Sequence, residues 1–261
     1  MKLASQEGLV PGRDLSEKLD NLAEYGYEGI EFGGRGLEER QDEIIKATEN
    51  HPIKPSTICA GFRGSLLDSD RAQRELAMSD IKSLLKVAAN IGAVGLIVVP
   101  IFGGPRINDL SPYKSAIQLE KELLVVLLKE LGDYAAQVGS IVLIEPLNRY
   151  ETHLLKKLDD GVQICKQVDN PNVQIMADFF HMSIEEQNIA ESIEKAGSYI
   201  KHVHLADSTR LLPGYGHTDF KSGFAALKKI GYENYMALEC GVPGPREVEL
   251  PKSAKYMKQW L

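Results

Sequence analysis

The sequence predicts an α/β chain that closes as a single (β/α)₈ TIM barrel. Three observations predict it. Short apolar runs alternate with longer helix-patterned segments eight times, the number of units that closes a parallel barrel. Glycine stands at or near the helix end that precedes a strand in YGYEGIEF, NIGAVGLIVV, QVGSIVLIE and KIGYENYMALE. There it can adopt the left-handed turn that ends a helix without a Cβ penalty. The length of 261 residues is also usual for one such barrel, so residues 1–261 are read as one domain.

Taken in order, strands are expected at 2–5 (KLAS), 28–32 (EGIEF), 53–59 (IKPSTIC) and 94–100 (VGLIVVP). They continue at 141–145 (IVLIE), 173–177 (VQIMA), 200–206 (IKHVHLA) and 235–239 (YMALE). The first is short, with Ser5 and Gln6 at its end. The third contains Pro55, which lacks a ladder donor and argues for a start after it. The fourth is nearly continuously apolar, as a strand covered on both faces should be. Helices are expected near 14–25, 38–49, 70–91, 115–138, 159–168, 185–196, 219–230 and 247–259. In 115–138 the spacing of Leu119, Leu123, Val126 or Leu127, and Leu131 predicts the side that faces the barrel.

Composition narrows the function. Lys and Arg total 30 against 37 for Asp and Glu, a net charge of -7, with no basic run. Nucleic-acid backbones are held by clustered Lys and Arg, so such a partner is not expected. No stretch of apolar residues is long enough to span a membrane, and the opening MKLASQEGLVPGRD lacks the apolar core of a secretory signal. Cys59, Cys165 and Cys240 are far apart and form no CxxC pair. A reducing, cytoplasmic setting is expected. Neither a P-loop nor a dinucleotide fingerprint is present.

Chemistry in this architecture gathers where strands point their carboxyl ends. Strand five finishes in Glu145, strand six leads to Asp178, strand seven contains His204 and strand eight finishes in Glu239. Three crowded carboxylates raise one another's pKa, a conflict that a divalent cation removes. One imidazole and three carboxylates suit manganese, cobalt or magnesium better than a thiolate-rich zinc site. His202 lies two residues before His204 on the same strand face, and is read either as a direct ligand or, in preference, as packing deeper and supporting the rim through a hydrogen bond. Glu151, His181 and Arg210 lie in the loops beyond these strand ends, suited to orienting sugar hydroxyls. Arg149 is read evenly as part of the site or of a structural ion pair. Phe62 and Phe102 could supply an apolar wall, or pack as ordinary loop residues. GVPGPRE at 241–247, with Arg246, is a faint phosphate candidate, and a free sugar is favoured over a phosphorylated one.

The segments IEPLNRYE at 144–151, ADFFHM at 177–182, HVHLADSTRLLPGYG at 202–216 and ALEC at 237–240 resemble the xylose-isomerase-like barrel superfamily. The likeness is to its ketose 3-epimerase branch. That resemblance implies that Glu145, Asp178, His204 and Glu239 bind one metal, and that Glu145 and Glu239 also form the acid–base pair. It implies substrate contacts from Glu151, His181 and Arg210, and a homodimer or homotetramer. The reaction it implies is inversion at carbon 3 of a free ketose through a cis-enediolate, with Mn²⁺ the first choice of cation and Co²⁺ or Mg²⁺ the alternatives. An aldose–ketose or inosose-type isomerase on the same barrel is the competing reading. An apurinic endonuclease, which needs a larger metal cluster, and a non-catalytic sugar-binding barrel fit the residues less well.

Overall fold

Eight parallel strands pair in sequence order, and the last returns to the first. The computed structural model describes residues 1–261. Its first half runs β1 (Lys2–Gln6), α1 (Leu15–Tyr25), β2 (Gly29–Gly33), α2 (Gln41–Thr48), β3 (Lys54–Cys59), α3 (Arg71–Ile91), β4 (Leu96–Val98) and α4 (Ala116–Val138). The second half runs β5 (Val142–Ile144), α5 (Leu158–Val168), β6 (Val173–Asp178), α6 (Phe179–Glu185), α7 (Ile189–Ala196), β7 (Ile200–Leu205), α8 (Phe220–Lys229), β8 (Tyr235–Leu238) and α9 (Arg246–Lys258). This is the (β/α)₈ barrel expected from the alternation of patterns.

The glycine signals act where they were read. Gly26, Gly92 and Gly139 end α1, α3 and α4 with φ of 87°, 75° and 76°, and each donates its N–H back into the last turn. Helix starts are equally local. Asp14, Asp70, Asn188 and Asp219 each accept a backbone N–H from the first turn of the helix they precede.

Three details depart from expectation. Strand β3 does include Pro55, which pairs with Ile30; the register shifts between Ile30 and Phe32, and Ser56 Oγ donates to the Ile30 carbonyl at 3.1 Å. The irregularity absorbs the missing N–H. The buried row of α4 is Ala116, Glu120, Leu124, Leu128, Leu131, Gly132 and Ala135. Leu119, Leu123 and Leu127 are only half-buried and Val126 is exposed, so the inward face is turned by about one residue. The cause is Glu120: a carboxylate sits in the apolar row, held by His153 Nε2 and the Arg106 N–H. Finally, the segment after β6 is two helices. Asp178 Oδ1 accepts from Phe180 N–H at 2.7 Å and His181 N–H at 3.1 Å, which starts α6 directly at the strand end.

Side chains alternate along each strand between the barrel interior and the helix layer. The interior is divided. Ile97, Leu143 and Met176, from β4, β5 and β6, form a small fully buried apolar cluster. Across from it, Thr57, His202 and Glu31 are equally buried but polar and hydrogen-bonded to one another. The metal-type donors lie one interior step further toward the carboxyl ends of β5 to β8.

Candidate metal centre

Glu145, Asp178, His204 and Glu239 each offer a donor atom, and those atoms all lie within 4.8 Å of one another. They arrive from four consecutive strand ends, with β6 and β7 between the two glutamates. His204 is fully buried, and its Nδ1 has no hydrogen-bond partner. That nitrogen is 3.1 Å from Glu239 Oε2 and 3.8 Å from both Glu145 Oε1 and Asp178 Oδ2. An unpartnered imidazole nitrogen facing three carboxylates fits a cation. The site is a divalent-metal-binding site.

Electrostatics drive the two glutamates apart. Burial pushes the Glu145 carboxyl well above the usual range, and the charge of Glu239 adds to it. Burial alone would raise Glu239 too, but His204 and Arg210 overcome it and hold that carboxyl at about 2. Arg210 Nη1 donates to Asp178 Oδ2 at 2.7 Å, and Nη2 donates to Glu239 Oε2. The guanidinium also lies over the Phe180 ring, 4.7 Å from its centroid.

The loop carrying Arg210 is built for that reach. Arg210 adopts φ of 58°, left-handed geometry that a residue other than glycine seldom takes. Its N–H donates to the Asp207 carbonyl and its own carbonyl accepts from Gly241, both at 2.8 Å. Buried Asp207 gathers the same loop by accepting from the N–H groups of Ser208, Gly214 and Thr218.

His181 is nearly completely buried on α6. Its Nδ1 accepts from the Asn148 N–H at 3.2 Å, so its Nε2 carries the proton. That Nε2 stands 3.9 Å from Glu145 and 3.9 Å from Asp178. Burial holds His181 below its ordinary pKa; Arg210 adds to the effect against the pull of Asp178. Glu151 is the outermost of the expected group, half-exposed and accepting from Asn148 Nδ2 at 2.9 Å. All seven residues singled out in the sequence therefore surround one mouth.

Other sequence readings resolve differently. Arg149 pairs with Glu185 through its N–H, Nε and Nη2, so the structural reading holds. His202 does not reach the donor cluster; its Nε2 meets Glu31 Oε2 at 2.8 Å, the supporting role expected of it. Phe102 is 56% exposed, whereas Phe62 packs against the core. Arg246 donates to the Gly8 carbonyl at 2.7 Å.

Sequence reasoning missed Glu31, Gln6 and Asn148. Glu31 is completely buried on β2, flanked by Ile30 and Phe32. An acid between two large apolar residues of a strand is the signal that could have found it. Burial would push its carboxyl up, but the imidazoles of His204 and His202 take it well below the usual range. Gln6 Nε2 spans Glu31 Oε1 and Glu239 Oε1 at 3.0 Å each.

The pattern that defines the xylose isomerase-like TIM barrel matches residues 19–260. The chain belongs to this family. Within the xylose isomerase-like barrels it is similar to the 3-dehydro-D-guloside 4-epimerase of Escherichia coli (strain K12), 32% identical over 241 residues that cover 92% of each chain. It is also 37% identical to the D-psicose 3-epimerase of Agrobacterium fabrum over 231 residues, 85% of this chain and 77% of the other. Among solved structures, apo 3-keto-D-glucoside 4-epimerase from E. coli superposes with a TM-score of 0.90 at 27% identity, covering 99% of both chains. This member of the xylose isomerase-like family is a metal-dependent epimerase, closely related to the ketose 3-epimerase branch. No helix in it is long and apolar enough to cross a membrane.

Proposed function

We propose that the chain inverts carbon 3 of a free ketose, with Glu145 and Glu239 exchanging the proton at that carbon. The observation that carries this reading is the pair of glutamates in one four-residue donor cluster, reached from strand ends on either side of β6 and β7. Glu145, Asp178, His204 and Glu239 would hold the cation, which when bound supplies Lewis-acid polarisation of the substrate carbonyl. One glutamate removes the carbon 3 proton from one face; the other returns a proton to the opposite face, and the pair exchange roles in the reverse direction. The proton on His181 Nε2 faces the same space and is available to a substrate oxygen, and the Arg210 guanidinium opposes charge that develops there. Glu151, at the rim, would accept from a substrate hydroxyl.

Mn²⁺ is the proposed cation, with Co²⁺ or Mg²⁺ as alternatives, because three carboxylates and one imidazole suit these ions. Residues 1–261 would act as one catalytic domain in the cytoplasm. A homodimer or homotetramer is proposed; the exposed apolar groups Leu110, Tyr113, Ile117 and Val126 on and before α4 support a covered face.

A second reading has a specific observation behind it. The E. coli relative matched over 92% of each chain is a 4-epimerase of a 3-dehydro sugar. The inverted carbon there is again next to a ketone, so the same proton exchange would serve carbon 4 of a 3-keto glycoside. Incubation of the Mn²⁺-loaded enzyme in ²H₂O with free ketoses, phosphorylated ketoses and 3-keto glycosides distinguishes the readings. Deuterium at carbon 3 with an epimeric ketose supports the first reading. Label at carbon 4 of a glycoside supports the second. Formation of an aldose would overturn both in favour of an isomerase.

A further inference from the structure

Beneath the donor cluster, one carboxylate is surrounded by hydrogen-bond donors from three other strands. Glu31 Oε1 accepts from Gln6 Nε2 at 3.0 Å and His204 Nε2 at 2.9 Å. Its Oε2 accepts from Thr57 Oγ at 2.5 Å and His202 Nε2 at 2.8 Å, with His204 Nε2 also 3.1 Å away. Glu31, Thr57, His202 and His204 are all fully buried. A carboxylate removed from water costs several kcal/mol unless its lone pairs are occupied, and here they are.

We infer that Glu31 is a positioning residue that aims the His204 Nδ1 lone pair, and through Gln6 the Glu239 carboxylate, at the cation site. This inference rests on the metal-centre reading but not on the identity of the sugar. By taking the proton on Nε2, Glu31 fixes the His204 tautomer in which Nδ1 is free to ligate. Gln6 links the same carboxylate to Glu239 Oε1, which leaves Glu239 Oε2 on the side of His204 Nδ1. Glu31 and Cys59 also lie near His204 in a second grouping of metal-type residues. Glu31 is not a ligand in that grouping, because four proton donors already fill its two oxygens.

The test exploits a shortage of acceptors. Glu31→Gln leaves one oxygen for two imidazole N–H groups and points an amide donor at them. One imidazole must then change tautomer or turn, and when it is His204 a proton sits where the cation needs a lone pair. Titration of the metal-free protein with MnCl₂ alone is expected to show one Mn²⁺ per chain, with Kd raised roughly 10- to 100-fold in Glu31→Gln. Loading with Co²⁺ gives a second readout: the visible d–d bands shift in the variant, which a loss of general stability alone would not cause. Should Glu31→Gln fail to fold, Thr57→Val and Thr57→Ser decide. Valine is expected to weaken Mn²⁺ binding severalfold, whereas serine restores the hydroxyl and the wild-type Kd. Wild-type Mn²⁺ affinity in Glu31→Gln, or in Thr57→Val when the first variant does not fold, overturns the inference. So does a stoichiometry of two cations per chain. A wild type that binds Mn²⁺ tightly but epimerises no sugar would defeat the proposed reaction and leave Glu31 in its role.

Discussion

The side-chain amide of Asn148 meets Nδ1 of His181 at 2.7 Å, beside the backbone N–H that donates to the same nitrogen. The same amide reaches Glu151 at 2.9 Å, so one side chain braces two groups at the mouth of the barrel. Asn148→Ala keeps the backbone bond and removes both of these contacts, together with the bond that Asn148 Oδ1 accepts from the Tyr150 N–H. A neutral hydrogen bond is worth about 1 kcal/mol and one to a carboxylate roughly 1.5–3 kcal/mol, and with part of that regained from water at the half-exposed Glu151, kcat/KM is expected to fall roughly tenfold. Steady-state kinetics on the best ketose would measure it, and an unchanged kcat/KM would remove Asn148 from the site.

Glu145→Gln keeps the size and an oxygen donor but cannot take up a proton. Turnover is expected to fall by roughly 10²- to 10⁴-fold, the usual contribution of one placed acid or base. Exchange of the substrate C–H with ²H₂O should fall with it. A variant that retains its cation and epimerises at the wild-type rate would contradict the acid–base assignment.

Metal binding should release protons. Glu145 is raised well above its ordinary 4.5 by burial and by Glu239. For His204, burial works downward, yet the charges of Glu31 and Glu239 lift it well above 6.5. Both groups hold a proton more tightly folded than unfolded. Their contribution to stability is therefore complete below those ordinary values and fades as pH rises through the folded ones. Chelator-treated protein is expected to lose melting temperature as pH rises above about 4.5 through Glu145 and above about 6.5 through His204. Calorimetry in buffers of different ionisation enthalpy should register net proton release on Mn²⁺ binding, with affinity rising with pH. Affinity independent of pH between about 6 and 8 would count against this linkage.

Packing behind the site should also reach the cation. A Cβ on Gly223 of α8 would stand 2.4 Å from the ring of Phe179, the residue after Asp178. Overpacking costs about 1–3 kcal/mol. Alanine recovers roughly 1 kcal/mol of helix propensity. Gly223→Ala is thus expected to lose up to about 2 kcal/mol in denaturant melts, with weaker Mn²⁺ binding as Phe179 moves. A more stable variant with unchanged affinity would show that Phe179 yields without disturbing Asp178.

The four donors were legible because each ends or follows an apolar run, and a strand end in this architecture has a known destination. His202 was legible through its spacing from His204. Glu31 carried one local signal, its place between Ile30 and Phe32, but its role was not legible because its partners Gln6, Thr57, His202 and His204 come from β1, β3 and β7. Only the closed ring brings them together, and no local pattern encodes that meeting. The α4 face was misjudged for a related reason. Glu120 belongs to the inward row because His153 from a distant loop satisfies it, so counting apolar residues alone selected the neighbouring stripe. The extra helix α6 followed from the shape of Asp178, whose carboxylate could be foreseen at the site but not at the same time as a cap.

That double use of Asp178 has a mechanical result. One oxygen anchors the first turn of the helix that carries His181, while the other faces His204 and Arg210. The side chain cannot swing aside when a cation departs without loosening that turn. A returning ion meets an anion already held in place, and any tug on it is passed to His181 through a single carboxylate.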